Sequence, residues 1–322
     1  MNPKMKCLAT GALVLSVCAA VAADIAESWA ETLGDAEAIG RFQPVGEADT
    51  FDMEYWSLEQ AKLGKAAEKP LARRVALVTG AGGAIGAATA RAFAAEGAEV
   101  VLLDVDLEAA KRSAAAAGPR ALALKADVTV RQDVADTFDR AAERFGGVDI
   151  VVSNAGAAHT GAMADIPETT LREAFEINFF SHQNVARAAV QVMRAQAMGG
   201  ALLFNVSKQA LNPGPDFGAY GTSKSALLAL VRQYALEHGK DGIRVNALNP
   251  DRIRSGLLTE EMIRSRAGSR GVTPETYMAG NLLGREVTAE DVGRAFVFAA
   301  LMDKTTGAVI PVDGGNVAAM PR

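Results

Sequence analysis

Arg73-Arg74-Val75-Ala76-Leu77-Val78-Thr79-Gly80-Ala81-Gly82-Gly83-Ala84-Ile85-Gly86 is a short apolar run closed by a glycine-rich turn, and residues 87–96 continue at helical periodicity. Strand, turn and helix in succession is the context in which clustered glycines carry meaning. Gly80 and its neighbouring glycines permit φ > 0 and let backbone N–H groups approach a pyrophosphate at a helix N-terminus, while Gly86 permits close helix–strand contact. On this reading Gly80, Gly82, Gly83, Ala84, Ile85 and Gly86 form a dinucleotide cradle. A second apolar run, residues 99–103, ends in Asp104, 24 positions beyond Gly80 and near the spacing of a ribose-binding carboxylate. Such a carboxylate accepts hydrogen bonds from a 2′-hydroxyl and repels a 2′-phosphate, which favours NAD over NADP. Asp106 is a second candidate acid, and a plain strand-end cap is the bland reading of Asp104.

Outward from this unit, short buried strands alternate with helical stretches. Strands are expected at 122–126, 149–153, 201–206, 243–248 and 309–312, and helices at 109–117, 131–145, 168–197, 219–239 and 288–302. Seven strands joined by crossover helices imply a doubly wound, seven-stranded parallel sheet with helices on both faces, a Rossmann-type α/β fold.

The 322 residues are 49% hydrophobic and 22% charged, with 33 basic against 38 acidic side chains and a net charge of −5. This composition excludes a disordered chain, a collagen-like repeat and a coiled coil, and it gives no basic footprint for nucleic acid. The two cysteines are Cys7 and Cys18, and the histidines His159, His182 and His238 form no HExxH pair, so a metal centre is not expected.

Three segments emerge: 1–23, 24–70 and a domain over 71–322. Residues 7–23 are uncharged and follow Lys4 and Lys6. They fit either an export signal ending at Ala20-Val21-Ala22 or a packed helix, and are too short and alanine-rich for a membrane span. Residues 24–70 read as a helical then extended arm with aromatic residues Phe51, Tyr55 and Trp56.

Tyr220 and Lys224 stand one helical turn apart on one face. A cation held there lowers the phenol pKa from about 10, poising it for acid–base work. A solvated helix face is the bland alternative. Ser207 follows a strand, at the carboxyl end where a parallel sheet opens its ligand crevice, and it can meet Tyr220 over a substrate.

Taken in order, Thr79-Gly80-x-x-x-Ala84-Ile85-Gly86, Asp127-Val128, Asn154-Ala155-Gly156, Asn178, Ser207, Tyr220-x-x-x-Lys224 and Val312-Asp313-Gly314-Gly315 resemble the short-chain dehydrogenase/reductase family over residues 71–316. The resemblance implies roles. Tyr220 is the acid–base, Lys224 lowers its pKa and holds the nicotinamide ribose, Ser207 orients the substrate oxygen, and Asn178 supports a proton-relay water. Asp127 and Val128 meet the adenine, and Asn154, Ala155 and Gly156 steady the central strand and the cofactor. Pro250, Asp251 and Ser255 flank the nicotinamide. Two departures stand out: Ala84 replaces the usual middle glycine of the turn, and Asp251 stands where glycine is common after the proline, which argues against an apolar, steroid-like substrate.

Residues 51–64, Ser207-Lys208-Gln209-Ala210, Asn249-Pro250-Asp251 and the tail 313–322 resemble the dehydrogenase half of bifunctional rhamnulose-1-phosphate aldolase/alcohol dehydrogenases. The resemblance implies a cytoplasmic, NAD-dependent enzyme, with export as the alternative should 1–22 be a signal. Its substrate would be a small polar alcohol or carbonyl compound: sugar-derived, lactaldehyde-like or a hydroxy acid. Candidate substrate contacts are His159, Lys208, Gln209, Asn212, Asp251 and Arg252. The expected partners are further copies, as a homodimer or homotetramer, with a scaffold that docks a separately encoded aldolase as an alternative reading; nucleic acid and membrane are not expected. A cofactor-binding subunit without turnover is the competing class.

Overall fold

In the computed structural model the described residues are 68–316. The segments over 1–23 and most of 24–70, and the tail after Asn316, lie outside them. Seven apolar runs become strands: β1 (Val75–Thr79), β2 (Glu99–Asp104), β3 (Ala121–Lys125), β4 (Ile150–Ser153), β5 (Gly200–Asn205), β6 (Ile243–Pro250) and β7 (Val309–Val312). All pair in parallel, in the order β3-β2-β1-β4-β5-β6-β7. The central strands are covered on both faces, which is why they read as continuous apolar runs rather than alternating ones. From β1 the chain builds outward to β3, then returns to place β4 on β1's other side. The connections leaving the carboxyl ends of β1 and β4 therefore run to opposite faces of the sheet and open a crevice between them.

The helices are α1 (Ala84–Ala95), α2 (Leu107–Ala117), α3 (Arg131–Phe145), α4 (Glu168–Phe175), α5 (Ser181–Gln196), α6 (Gly218–His238), α7 (Glu260–Gly268), α8 (Pro274–Met278) and α9 (Ala289–Leu301). Side chains alternate across the sheet. Leu202 and Phe204 of β5 face α3, α5 and α6 with Phe138, Met193 and Leu227. Leu203 faces α1, α2 and α9 with Phe93 and Phe296.

Two departures from the sequence reading concern the site. The single helix expected over 168–197 is broken by a π turn at Glu176–Phe180, which drives Asn178 into the interior. The helices α7 and α8 had no apolar periodicity to announce them. Each is started by a threonine whose hydroxyl accepts a first-turn N–H, Thr259 from Met262 and Thr273 from Thr276. Together they close a small separate core of Leu258, Ile263, Ala267, Tyr277 and Met278.

Candidate active site

The glycine turn is shaped by what its residues lack. Gly80 has φ of +62°, and a Cβ there would lie 2.9 Å from Ala155 Cα. The other turn glycines do not share that conformation, contrary to the sequence expectation; their smallness is used for clearance. A Cβ on Gly86 would stand 2.2 Å from the Gly80 carbonyl oxygen, and one on Gly82 would stand 2.6 Å from Ala109 Cβ. Gly83 starts α1 without a side-chain cap, so first-turn N–H groups remain open to an anion. Ala84 is exposed and obstructs nothing, while Ile85 reaches the neighbouring cleft.

Asp104, at the end of β2, accepts from Gly82 N–H at 2.9 Å and from Asp106 N–H at 3.0 Å. Asp106 instead caps α2, accepting from Glu108 and Ala109 N–H at 3.0 and 3.1 Å. Of the two acids, Asp104 therefore stands beside the glycine turn. An uncapped helix start, a cradle that side chains would fill and a carboxylate at its rim fit the pyrophosphate and ribose of a dinucleotide. Asp127 folds its carboxylate onto Thr129, accepting from the backbone N–H at 2.9 Å and the hydroxyl at 2.7 Å. Val128 is buried in the core beneath, so the adenine contacts implied for this pair would involve their backbone edge.

Across the crevice, Asn154 joins three strands. Its backbone N–H donates to Thr79 Oγ1 at 2.8 Å, its Nδ2 donates to the Thr79 carbonyl at 2.9 Å, and its Oδ1 accepts from Asn205 Nδ2 at 2.8 Å. Ala155 N–H donates to the same Thr79 hydroxyl at 3.1 Å. Asn178, fully buried, donates from Nδ2 to the carbonyls of Ala157 and Ala174 at 2.9 and 3.0 Å and accepts Ala157 N–H at 3.2 Å. A Cβ on Gly156 would press on Asn178 Oδ1 at 2.9 Å. Asn205 Oδ1 is buried without a partner among the described residues, where cradle and cleft meet.

Ser207 leads out of β5 and accepts Gln209 N–H at 3.2 Å. Its hydroxyl faces the Tyr220 phenol on α6 closely enough to lower the phenol's pKa, but burial is larger and the net direction is up. Lys224 is 2% exposed; its ammonium donates to the Asn205 carbonyl at 2.9 Å and lies 5.9 Å from the centre of the Tyr220 ring. Burial brings its pKa down to about 7. The lowering of the phenol expected from the four-residue spacing is thus reversed here. Both groups sit in a water-poor strip that favours their neutral forms.

A cleft of about 850 Å³ opens above Ser207 and Tyr220. Lys208, Gln209, Asp251 and Arg252 line it as expected, with Pro250 and Ser255; His159 and Asn212 lie outside its lining. Among the described residues the Lys208 ammonium has no hydrogen-bond or ion-pair partner. Arg252, at φ +53°, is committed elsewhere: it donates to the Tyr277 and Gly280 carbonyls at 2.7 and 3.1 Å and stacks on the Tyr277 ring. Asp251 accepts from Asn316 Nδ2 and lies 3.5 Å from Arg252 Nε, so its charge is partly compensated. Ser255 is engaged in its own turn, donating to the Ile253 carbonyl and accepting Leu257 N–H, both at 3.2 Å. The far wall comes from α7 and was not foreseen: Glu261, Met262, Ser265 and Arg266, the last stacked on Phe217 at 4.4 Å. The Thr259 cap followed by acidic Glu260 and Glu261 was the local signal that could have revealed it.

Residues 80–316 match the family model described as enoyl-(acyl carrier protein) reductase, and residues 9–63 match the second domain of class II aldolases. The oxidoreductase YuxG of Bacillus subtilis is 38% identical over 89% of this chain and 44% of its own length. The chain thus spans under half of that relative. Galactitol 2-dehydrogenase of Agrobacterium fabrum is 36% identical over 76% of this chain and 98% of its own. Among solved structures, 3-ketoacyl-(acyl-carrier-protein) reductase from Brucella melitensis complexed with NADH superposes with a TM-score of 0.69 at 29% identity, covering 76% of this chain and 98% of that one. With a seven-stranded parallel sheet, a glycine cradle and a Ser–Tyr–Lys cluster already in place, the extent of these matches shows that the chain belongs to the short-chain dehydrogenase/reductase family of oxidoreductases.

Proposed function

We propose that this protein is an NAD-dependent dehydrogenase of small polar alcohols and their carbonyl products, whether sugar-derived, lactaldehyde-like or hydroxy acids. The observation that carries the reading is that Ser207 and Tyr220 line a cleft beside the glycine cradle, with the Lys224 ammonium buried 5.9 Å from the centre of the Tyr220 ring. Gly80–Gly86 and Asp104 would hold the dinucleotide, with Asn154, Ala155 and Gly156 beside it and Lys224 at the nicotinamide ribose. A bound nicotinamide supplies the hydride acceptor in oxidation and the donor in reduction.

The chain's own groups handle the proton and the oxygen. In oxidation, Tyr220 Oη takes the proton of the substrate hydroxyl as the carbon–oxygen bond becomes a carbonyl; in reduction it returns one to the alkoxide oxygen. Ser207 Oγ donates to that same oxygen and fixes its distance from the phenol. A charged Lys224 favours the phenolate, and Asn178 keeps the Ala157 segment in place beneath.

The polar groups within the mixed lining of the cleft, Lys208, Gln209, Asp251 and Glu261, and the galactitol 2-dehydrogenase relative both support a hydroxylated substrate. Asp104 supports NAD over NADP, because its carboxylate would meet a 2′-phosphate with like charge. The aldolase-type match over residues 9–63 supports the resemblance to aldolase/dehydrogenase proteins and overlaps the apolar stretch 7–23, which favours a cytoplasmic protein over an exported one. A separate aldolase partner remains the reading for co-purification, and a homodimer or homotetramer the one for light scattering.

The deciding experiment measures NADH formation with NAD⁺ and a panel of polyols, aldoses, hydroxy acids and lactaldehyde, with Tyr220→Phe in parallel. Loss of an acid–base group lowers turnover by about 10²–10⁴-fold, with NADH binding retained. Equal turnover in the variant overturns the assignment of Tyr220. NAD binding without turnover on any of the panel favours the non-catalytic subunit.

A further inference from the structure

One buried polar ring next to the reacting centre has no part in the chemistry above. His182, near the start of α5, is 1% exposed. Its Nδ1 lies 2.7 Å from the Ser153 hydroxyl at the end of β4, and its Nε2 lies 3.4 Å from Lys224 Nζ. Phe204 of β5 covers the ring at 6.0 Å between centroids. From the elements packed around it, α6 presents the Lys224 ammonium, β4 presents Ser153, the Ala155 backbone just after β4 is a second hydrogen-bond partner that favours a ring N–H, and β5 presents Phe204; Lys224 is the charged group acting on it among the described residues. Burial, then the ammonium, holds the imidazole pKa well below its ordinary value, so the ring is neutral.

A neutral imidazole has one N–H and one lone pair, and an ammonium has donors alone. A charged Lys224 therefore requires the lone pair on Nε2. That leaves the proton on Nδ1, where Ser153 Oγ accepts it. The two neighbours together select one tautomer.

We infer that His182 is a positioning residue, which with the Asn205 carbonyl forms a two-acceptor seat for the Lys224 ammonium and so directs its remaining N–H toward the Tyr220 side of the site. The inference rests on the dehydrogenase reading, because it assigns that ammonium its work. Of the three donors on Nζ, one goes to Asn205 at 2.9 Å and one to His182 at the outer limit of a hydrogen bond. A ring that merely filled space would have no need of a polar atom at either end, and an aliphatic side chain would serve.

The test uses the full chain as His182→Leu, His182→Gln and Ser153→Ala. NADH affinity is followed by its fluorescence from pH 6 to 10, beside thermal unfolding. In the wild type, affinity falls as Lys224 loses its proton. Removing a neutral acceptor from the ammonium moves that fall to lower pH by about half to one unit, as expected for His182→Leu. Glutamine, whose side-chain oxygen can replace Nε2, restores the wild-type profile. Ser153→Ala, which removes one of the partners that fix the tautomer but spares the ring, shifts the profile in the same direction by less. An unchanged profile in both His182→Leu and Ser153→Ala, with only a lower unfolding temperature, overturns the seat and leaves a filler. Wild-type protein that does not bind NADH at any pH overturns the dehydrogenase reading and this inference with it.

Discussion

The two banks of the crevice between β1 and β4 prepare for a ligand by opposite means. On the β1–β2 bank the work is done by backbone and by missing side chains: Gly82 N–H on Asp104, an uncapped α1, and a Gly86 that leaves no room for a Cβ. On the β4–β6 bank it is done by long side chains brought into a dry interior, with Asn178 and Lys224 nearly inaccessible to water. The first bank is chiefly a matter of shape. The second is a matter of charge, and burial has already moved Tyr220 up and Lys224 down. A shape is lost by adding atoms, a charge by removing one.

Substitutions can press on that contrast. Lys224→Met has the largest expected effect, a fall in turnover of about 10²-fold or more, since the acid–base group loses its supporting cation. Its stability has a sign opposite to its activity. The folded lysine has a pKa of about 7 against 10.5 for an ordinary one. Between those values the unfolded chain holds the extra proton, so wild-type stability gains from this group as pH rises. The variant is therefore expected to unfold at higher temperature than wild type, by most at pH 7 and below, with the gap closing toward pH 10.5. Unfolding midpoints of both proteins across that range check it, and a gap independent of pH would show that Lys224 is not held near neutrality.

Gly86→Ala is the corresponding blow to the other bank. Overpacking of this kind costs about 1–3 kcal/mol, and dinucleotide affinity should fall with it. The pH dependence of stability should stay that of the wild type, measured in the same unfolding series. The smallest effect is expected from Asp104→Asn, which keeps an acceptor for Gly82 N–H but removes the charge. Relative kcat/KM for NADP over NAD is expected to rise by about tenfold, the scale of one charge-assisted hydrogen bond. No change in that ratio would return Asp104 to a strand-end cap.

The shape bank was the more legible in the sequence. Strand, glycine turn and helix follow local rules, and Asp104 could be found by counting, although the choice over Asp106 needed the α2 cap to be seen. The other bank was legible as a pattern and misread as electrostatics. The Tyr220–Lys224 spacing places the two groups correctly, but spacing on a helix carries no information about how much water surrounds them, and burial reversed the expected direction. Arg252 shows the same gap: its partners, the Tyr277 and Gly280 carbonyls, lie in and just beyond a five-residue helix whose sequence has no amphipathic stripe. His182 was visible only as one of three histidines, because its meaning depends on two neighbours that lie 29 and 42 residues away.

The π turn at Glu176–Phe180 also sets a rule for how this stretch can change in length. It holds one residue more than a regular turn, so α4 and α5 differ in rotational phase by about 100° from a continuous helix. Deleting a single residue there would let the two helices merge into one regular rod. That rod could bury the α4 face or the α5 face, with its His182, Val185, Ala189 and Met193, but not both in their present directions. Asn178, at the centre of the turn, marks the point where the phase is reset. Length changes on either side are tolerable at the loops; within these five residues, a change of one is equivalent to turning α5 away from the site.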